Sequence, residues 1–466
     1  MDLIFSPHYA ERIAVITSEA MEYSYSELYR YSKKLAKQID SRSLVFCLCQ
    51  NTIGSFVGYV SFISNNIVPV MLNSDLDQDL FNNLIKIYQP QYFWVPDHLI
   101  SNISGCKVVT KMLGYTLLKN TSGSQNQLHN DLALLLTTSG STGSPKLVRL
   151  TYANIYSNAK SISEYLSIDE NERPITSLPM HYSYGLSIIN SHLLKGGTVL
   201  LTDFSIMERD FWSFMKKYKA TSLSGVPYTF EILKKLRFSS MDLPHLKTIT
   251  QAGGKLNETL EREYSEFCKI SGKQFFVMYG QTEATARMSY LPPEYSVSKS
   301  GSMGIAIPGG EFSLIDEKRK LIRLPDTEGE LVYRGANVSI GYAKCREDLA
   351  KGDDNQGVLE TGDMAKRDAD GFYYIVGRKK RFIKMYGNRV NLDETERLLK
   401  NVIVDCVCIG EDDKMIIYLT DGSRAEEIRN YVSKKINLNR RGIDVRSISK
   451  IPKSASGKTI YSELMV

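Results

Sequence analysis

The stretch Leu132-Ala-Leu-Leu-Leu-Thr-Thr-Ser-Gly-Ser-Thr-Gly-Ser-Pro-Lys146 decides how this chain of 466 residues is interpreted. Its first five residues, up to Leu136, are all apolar, which indicates a short strand buried on both faces, as in a parallel sheet. A run of hydroxyl side chains and glycines follows and ends in a lysine. Hydroxyls and backbone N–H groups can donate hydrogen bonds, glycines allow close approach, and Lys146 adds a positive charge. The stretch therefore predicts a loop that wraps a polyphosphate.

Two stretches resemble a Walker loop but do not fulfil its pattern. The spacing G-x-x-x-x-G-K would require glycine at position 145, where the chain has Pro145. The second stretch, Pro452 to Thr459 (PKSASGKT), has proline in place of the first glycine. The seven residues after Thr459 are too few for the long helix that a P-loop needs. We therefore expect neither stretch to be a P-loop, and Lys458 needs another role.

The order of apolar and helix-like segments predicts an α/β fold. Such segments alternate before the phosphate loop, and Thr151 is expected to cap the helix after it. Later apolar runs end at Gly225, at Gly253-Gly254 and at Tyr279-Gly280, each before a polar or glycine-containing loop. Parallel α/β sheets bind ligands at the carboxyl ends of their strands, so these loops are candidate binding loops.

From about Gly329 the sequence pattern changes and indicates hairpin-like strands. These strands end in a basic run, Arg378 to Arg381. We place a domain boundary near Lys380. Residues 1–379 are expected to form a large α/β domain with several subdomains, and residues 380–466 a small, mobile α+β domain. The small domain is expected to contain helices from Leu392 and Arg424 around a strand-rich stretch.

Composition and charge exclude several classes of protein. Hydrophobic residues make up 42% of the chain and charged residues 24%, as in ordinary globular proteins. The net charge of +6 is too small for this length to indicate a nucleic-acid partner. The seven cysteines lack zinc or disulfide spacing, and those at Cys47, Cys49, Cys406 and Cys408 lie in apolar runs, so we expect buried thiols. No apolar run could span a membrane, which leads us to expect a cytoplasmic protein.

Seven motifs carry a resemblance to one enzyme superfamily: TSGSTGSPK, LPMHYSYGLS, QAGGKL, YGQTE, TGD, GRKKRFIK and PKSASGK, in this order. By these motifs the chain resembles the adenylate-forming enzymes, which include acyl- and aryl-CoA ligases, nonribosomal peptide synthetase adenylation domains and beetle luciferases. The resemblance covers nearly the whole chain. It implies an enzyme that activates a carboxylic acid with ATP as an acyl-AMP, releases pyrophosphate, and transfers the acyl group to coenzyme A.

The resemblance also implies which residues bind ATP and Mg²⁺. The β- and γ-phosphates would lie in the phosphate loop, on Thr138, Ser139, Gly140, Ser141, Thr142, Gly143 and Lys146. The adenine ring would be bracketed by Gly253, Gly254, Lys255, Tyr279 and Gly280. Asp363 would accept both ribose hydroxyls with help from Arg378. Thr282 would lie near the α-phosphate, and Glu283 would hold Mg²⁺.

Two lysines receive roles in catalysis and motion by the same resemblance. Lys458 matches the catalytic lysine, which would stabilise charge that builds on the α-phosphate and carboxylate oxygens. No general base is needed, because the attacking carboxylate is already ionised. Lys380 matches a hinge, where backbone rotation would move the small domain between adenylation and thiol transfer.

The motif LPMHYSYGLS departs from the family pattern and bears on the acid. Many members have histidine where this chain has Tyr182, with His181 one place earlier, so the gate over the acid could be Tyr182, His181 or neither. Amino-acid-activating relatives usually carry aspartate near Gly185 to pair with the substrate ammonium. A buried ammonium without a counter-charge is costly. We therefore expect an aryl, short acyl or hydroxy acid that lacks an α-amino group.

Two alternatives to a stand-alone acid–CoA ligase stay open. The thiol could belong to the phosphopantetheine arm of a separate acyl carrier protein, since both thiols have the same reactive end. From a different class, the chain could be an inactive regulator that binds a nucleotide. The presence of Glu283, Asp363 and Lys458 favours an enzyme over a regulator.

Overall fold

A computed structural model describes residues 6–123, 127–137, 146–386, 388–400, 402–403, 405–436, 439–453 and 459–464. The predicted phosphate-binding residues Thr138 to Gly143 and the predicted catalytic Lys458 lie outside the described residues. Contacts divide the described chain into two compact units. The first unit contains the described residues up to 137, residues 146–311 and Arg334–Leu359. The second contains Phe312–Tyr333 and the described residues from Glu360 onwards, so the domain boundary at Lys380 stays a prediction.

The strands are numbered in chain order. Residues 6–137 contain β1 (Ile13–Thr17), β2 (Glu22–Ser24), β3 (Leu44–Cys49), β4 (Val68–Asn73), β5 (Tyr92–Pro96), β6 (Cys106–Met112), β7 (Tyr115–Asn120) and β8 (Leu132–Thr137). Residues 146–343 contain β9 (Leu147–Thr151), β10 (Val199–Leu201), β11 (Ser222–Gly225), β12 (Thr248–Gln251), β13 (Gln274–Tyr279), β14 (Ser289–Leu291), β15 (Ile305–Ala306), β16 (Gly310–Ile315), β17 (Leu321–Ile322), β18 (Gly329–Gly335) and β19 (Tyr342–Ala343). The later strands are β20 (Val358–Arg367), β21 (Tyr373–Arg378), β22 (Phe382–Met385), β23 (Asn388–Asn391), β24 (Cys406–Glu411), β25 (Lys414–Leu419) and β26 (Ile443–Ser447).

The α-helices are numbered in the same way. They are α1 (Tyr25–Ala36), α2 (Ile53–Ser64), α3 (Gln78–Tyr88), α4 (Tyr152–Tyr165), α5 (Ser183–Leu194), α6 (Arg209–Lys217), α7 (Pro227–Lys235), α8 (Glu258–Ile270), α9 (Leu392–Leu399) and α10 (Ala425–Lys435). Within the described ranges, no helix is both long and apolar enough to cross a membrane.

An eight-stranded sheet of order β19-β9-β8-β4-β3-β5-β7-β6 forms the first layer of the first unit. The central strands β8, β4, β3 and β5 are parallel, and antiparallel strands flank them on both sides. Leu132 to Leu136 of β8 are at most 1% exposed, which confirms the prediction of a strand buried on both faces. Cys47 and Cys49 of β3 are buried free thiols, also as predicted.

A second sheet of the first unit has the order β11-β12-β13-β14-β15. Strands β11, β12 and β13 are parallel, and Gly225 of β11 pairs with Gln251 of β12. The three strands end within a residue or two of the predicted loops at Gly225, Gly253 and Gly280. The α/β prediction is confirmed, and the candidate binding loops of this sheet lie at one edge of it.

The second unit contains most of the sheet β17-β16-β18-β20-β21 and two small sheets, β22-β23 and β24-β25-β26. Helices α9 and α10 begin at Leu392 and Ala425, close to the predicted positions. Cys406 and Cys408 are buried in β24, as expected. The parallel pairing of β26 with β25 is not evident from the sequence.

The sequence analysis misses strand β9, which pairs antiparallel with β8 and separates the phosphate loop from helix α4. Thr151 at its end caps α4 as predicted, because its hydroxyl accepts the Asn154 N–H at 3.1 Å. Arg149 in the middle of β9 is fully buried. Its guanidinium donates to the carbonyl oxygens of Ile340 and Lys351 at 2.7 and 2.5 Å and to Asp354 at 2.7 Å.

We expect Arg149→Met to lower the free energy of unfolding of the first unit by at least about 2 kcal/mol, because it removes the charged hydrogen bonds that the buried guanidinium donates to backbone carbonyl oxygens and to Asp354. Chemical denaturation followed by circular dichroism measures this loss. Arg319→Met is the matched control, because Arg319 is 72% exposed and its ion pair among the described residues is with Glu360 on the surface. The control should cost less than about 1 kcal/mol. Equal losses in the two variants would contradict the role of Arg149.

Candidate active site

The loop after β12 brings two predicted binding residues together. Gly253 has a φ of +85°, a conformation that favours glycine. A Cβ at this position would lie 2.7 Å from the Tyr182 hydroxyl oxygen and 3.0 Å from Val226. Glycine is therefore required here both by the backbone and by the approach of Tyr182.

Gly254 and Lys255 lie in the same loop as Gly253, and Gln251 is the last residue of β12 before it. The Gln251 side-chain amide donates to the carbonyl oxygen of Gly254 at 2.8 Å and holds the turn. Lys255 is partly exposed and lies 3.3 Å from Glu258, its partner on the first turn of α8. The assignment of Gly253, Gly254 and Lys255 to the adenine stays a prediction.

The loop after β13 contains the closest backbone approach at the site. A Cβ on Gly280 would lie 1.7 Å from the carbonyl oxygen of Ala286 and 2.8 Å from the Cα of Arg287. The chain after Tyr279 thus turns back on itself, and only glycine leaves room for it. This close contact is a packing reason for Gly280, beside the adenine contact that the resemblance implies.

Glu283, Tyr342 and Lys146 form one contiguous group in the first unit. The Tyr342 hydroxyl donates to Oε1 of Glu283 at 2.5 Å, and the Lys146 ammonium lies 4.0 Å from the centre of the Tyr342 ring. Burial, with the Glu283 charge as a smaller cause, raises the pKa of Tyr342, so its hydroxyl stays protonated. The predicted phosphate-binding lysine and the predicted Mg²⁺ ligand are therefore brought together by a tyrosine that sequence reasoning misses.

Tyr342 is held beside Glu283 by the residues that precede it. We call residues 336–342 the 336–342 segment. The Ser339 N–H donates to the carbonyl oxygen of Glu283 at 2.8 Å. The Asn337 amide donates to the carbonyl oxygen of Ala284 at 2.8 Å. On the other side, the Asn154 amide donates to the carbonyl oxygens of residues 336 and 338, each at 2.8 Å.

Thr282 lies beside Ser183, the first residue of helix α5. Its hydroxyl is 3.1 Å from that of Ser183, within hydrogen-bond distance. The unsatisfied N–H groups of a helix N-terminus favour anions, which suits the predicted place of Thr282 near the α-phosphate. This placement of the phosphate stays a prediction.

Gly185 on the same helix has a structural reason to lack a side chain. A Cβ there would lie 2.4 Å from the carbonyl oxygen of Pro179 and 3.0 Å from that of Leu178. Because these are backbone atoms, an aspartate cannot be accommodated without a shift of the chain. The position therefore cannot supply a counter-charge for a substrate ammonium in this conformation.

His181 and Tyr182, the alternative gate residues, lie just before α5. Burial lowers the pKa of His181 to about 4, although Asp75 opposes the shift. Its Nδ1 is buried and has no hydrogen-bond partner among the described residues. Burial raises the pKa of Tyr182 to about 12. Both side chains are therefore neutral near pH 7, and the contact between Tyr182 and Gly253 places Tyr182 beside the candidate adenine loop.

The second unit contains the predicted ribose site. Asp363 of β20 and Arg378 of β21 are paired in register, and the two side chains lie 3.5 Å apart. Asp363 is 6% exposed and Arg378 70% exposed, so the carboxylate is held in place while the guanidinium reaches into solvent. Their role at the ribose stays a prediction.

The basic run that follows Arg378 is mostly paired within the second unit. Lys379 contacts Glu330 at 2.7 Å, and Arg381 contacts Asp393 at 2.7 Å. For Lys380, the predicted hinge, no ion pair is found in the described part of the chain, and its side chain is exposed. The flanks of the stretch that contains Lys458 are anchored, since the Ile460 N–H donates to the Pro452 carbonyl oxygen at 2.9 Å.

The described donor set fits Mg²⁺ bound together with a nucleotide. No group of three or more potential ligands occurs in the described residues, and Glu283 is the carboxylate next to Lys146. Mg²⁺ is usually held by one or two carboxylates plus substrate phosphates, so a single carboxylate is sufficient.

We expect Gly280→Ala to lower the free energy of unfolding by about 1–3 kcal/mol or more, because the added methyl group meets backbone atoms of Ala286. Thermal unfolding monitored by circular dichroism measures the change. Gly352→Ala is the control, since a Cβ there meets nothing within 4 Å. Similar stability of the two variants would contradict the close approach.

The neutral imidazole of His181 predicts a pH dependence. The folded pKa of about 4 lies below the ordinary value of 6.5, so the unfolded chain binds a proton that the folded chain does not. The stabilisation is therefore complete above about pH 6.5 and is lost as the pH falls towards 4. Between pH 7.5 and 5 the wild type should lose up to about 2 kcal/mol more than His181→Gln in denaturation experiments. Equal losses of unfolding free energy in the wild type and in His181→Gln would contradict the lowered pKa of His181.

Comparison with known proteins agrees with this arrangement. The family model described as "AMP-binding enzyme" matches residues 6–343. Oxalate–CoA ligase of Arabidopsis thaliana is 30% identical over 71% of this chain, and the chain spans slightly less than two thirds, 66%, of that relative. The 2-succinylbenzoate–CoA ligase of Bacillus subtilis (strain 168) is 26% identical over 97% of this chain and 95% of the relative.

A solved structure confirms the fold over almost the whole length. The O-succinylbenzoate coenzyme A synthetase (MenE) of Bacillus subtilis, in complex with AMP, has a TM-score of 0.79 and covers 97% of this chain and 95% of its own. At 24% identity we use this similarity for the fold alone. The family match covers more than half of the chain and includes every predicted site residue of the first unit. The chain therefore belongs to the AMP-binding enzyme family.

Proposed function

We propose that this chain is an ATP-dependent, AMP-forming acid–thiol ligase. It activates a carboxylic acid as an acyl-AMP, releases pyrophosphate, and transfers the acyl group to the thiol of coenzyme A. The observation that carries the proposal is the group of Lys146, Tyr342 and Glu283 beside Thr282 and α5. A cation, an oriented carboxylate and a helix N-terminus in one place suit the binding of a metal–triphosphate.

Each group of the site has a defined part in this reaction. Lys146 holds the outer phosphates, and the Tyr342 hydroxyl fixes the orientation of the Glu283 carboxylate, which holds Mg²⁺. The metal ion neutralises phosphate charge when it is bound. Thr282 lies by the α-phosphate, and Lys458 stabilises the charge that develops there as the ionised carboxylate attacks. In the second unit, Asp363 accepts the ribose hydroxyls.

The described residues bear on the class of acid as well. Backbone atoms of Leu178 and Pro179 leave no room for an acidic side chain at Gly185. His181 is neutral because burial lowers its pKa to about 4. Neither residue therefore supplies a charge to the acid, which supports a substrate without an α-amino group. Coenzyme A is the proposed acceptor, supported by relatives that are CoA ligases.

The hinge at Lys380 is part of the same proposal. Its neighbours Lys379 and Arg381 are held by ion pairs, whereas Lys380 has none in the described part of the chain. Hinges are a few residues at the ends of elements, and Lys380 lies in the short turn between β21 and β22.

We expect ATP–pyrophosphate exchange with at least one member of a panel of aryl, short acyl and hydroxy acids, and none with the corresponding α-amino acids. Lys458→Ala should lower exchange by about 10²–10³-fold, because a positioned charge is lost. It should spare thioester formation from a supplied acyl-adenylate. Lys450→Ala, an exposed lysine outside the motif, is the control.

Three outcomes would revise the proposal. Equal loss of both half-reactions in Lys458→Ala would contradict the role of Lys458. Thioester formation with a phosphopantetheinylated carrier protein but not with coenzyme A would replace the acceptor. Binding of ATP without exchange for any acid would favour an inactive nucleotide-binding regulator.

A further inference from the structure

Asn51 lies in the loop between strand β3 and helix α2, at the carboxyl end of a parallel strand. Its side-chain amide makes two hydrogen bonds to one stretch of backbone. The amide NH₂ group donates to the carbonyl oxygen of Leu178 at 3.1 Å, and the amide oxygen accepts the Met180 N–H at 3.0 Å. One side chain thus satisfies backbone groups on both sides of Pro179.

The backbone of Asn51 is anchored as well. Its N–H donates to Oδ1 of Asp203, the second residue after β10, at 2.7 Å. The acceptor is a carboxylate, which makes this hydrogen bond stronger than one between neutral groups. Asn51 therefore connects three parts of the first unit: the end of β3, the end of β10 and the chain before α5.

The stretch that Asn51 binds leads directly to the candidate gate residues. The Pro179 carbonyl oxygen accepts the Tyr182 N–H at 3.1 Å, so the backbone turns between these two residues. The same oxygen would lie 2.4 Å from a Cβ at Gly185, on the first turn of α5. A shift of the backbone at 178–180 would therefore move Tyr182 and the start of α5 with it.

Tyr182 carries this constraint to the second sheet. Its hydroxyl oxygen would lie 2.7 Å from a Cβ at Gly253, in the loop after β12. On another side, the Tyr184 ring lies 6.3 Å from the Tyr182 ring, and the Tyr184 hydroxyl is 2.8 Å from that of Thr250 on β12. The backbone of Tyr182 is thus fixed through Asn51, and its ring is confined by the second sheet.

We propose that Asn51 is a positioning residue for the acid, which sets the place of Tyr182 and thereby the size of acid that the enzyme accepts. The proposal rests on the acid-activating function proposed above, with Tyr182 as the gate over the acid. Asn51 acts through the backbone at 178–180, not through a contact of its own with the acid. Without the two amide hydrogen bonds this backbone gains freedom, and a displaced pocket wall discriminates less well between acids.

The test compares the best acid of the panel with its homologue that is longer by one methylene group, in pyrophosphate exchange. One methylene group in a pocket that fits the substrate is worth about 10–200-fold in kcat/KM. Asn51→Ala should reduce this ratio by about tenfold, as for the loss of one or two hydrogen bonds between neutral groups. The change should come from KM for the acid, while KM for ATP changes by less than about twofold.

Asn65→Ala is the matched control, because Asn65 lies at the other end of α2. Its amide also makes two hydrogen bonds, to Ser32 and Ser61 at 3.0 and 2.7 Å. This variant should lower the midpoint of thermal unfolding about as much as Asn51→Ala does and leave the ratio between the two acids unchanged. Asp203→Ala removes the acceptor of the Asn51 N–H from an exposed side chain, and should lower the ratio by less than Asn51→Ala does.

A double-mutant cycle tests the route through Tyr182. Because the two residues act on the same wall of the pocket, Asn51→Ala should change the ratio little once Tyr182→Ala has removed the gate. The full effect of Asn51→Ala in the Tyr182→Ala background would overturn this route.

The inference and the ligase function fail in different ways. An unchanged ratio in Asn51→Ala, an equal change in Asn65→Ala, or equal rises in KM for the acid and for ATP would overturn the role of Asn51 and leave the ligase function intact. If Asn51→Ala does not fold, an unchanged ratio in Asp203→Ala would overturn it. Absence of exchange with every acid in the wild type would contradict the ligase function itself, and the inference with it.

Discussion

The hydrogen bonds that the side chains of Asn154, Asn158 and Asn337 donate to backbone carbonyl oxygens hold the site of the first unit together. They bind the 336–342 segment to α4 on one side and to the chain after β13 on the other. Because Tyr342 ends this segment, its position next to Glu283 follows from these amides. The chain turns back at Gly280, close to Ala286, just before it reaches the carbonyl oxygen that Asn158 and Asn337 bind.

The sequence predicts the parts of the site that depend on local pattern. Apolar runs followed by glycine mark the ends of β11, β12 and β13, because a buried parallel strand and its exit loop have distinct compositions. Strand β9 is missed, because Arg149 interrupts its apolar run. That arginine is accommodated by carbonyl oxygens about 200 residues later in the chain. No local pattern indicates such a partner.

Tyr342 illustrates a second limit of sequence reasoning. It belongs to none of the stretches that carry the family resemblance, and a lone tyrosine is ordinarily a surface or core residue. Its importance depends on the carboxylate of Glu283, which the fold places beside it. Gly185 is the reverse case. The sequence shows only that Gly185 stands where amino-acid-activating relatives usually have aspartate. The structure supplies a steric reason for the glycine.

The basic run from Arg378 to Arg381 is mostly neutralised by nearby acidic side chains. Arg378, Lys379 and Arg381 each face an acidic residue of the second unit, so most of the positive charge is neutralised where it arises. A surface that attracts a polyanion would instead leave several such charges unpaired. Most of the run therefore contributes ion pairs within the second unit. For Lys380 itself no ion pair is found in the described ranges, and its place in the short turn between β21 and β22 agrees with the hinge proposed there.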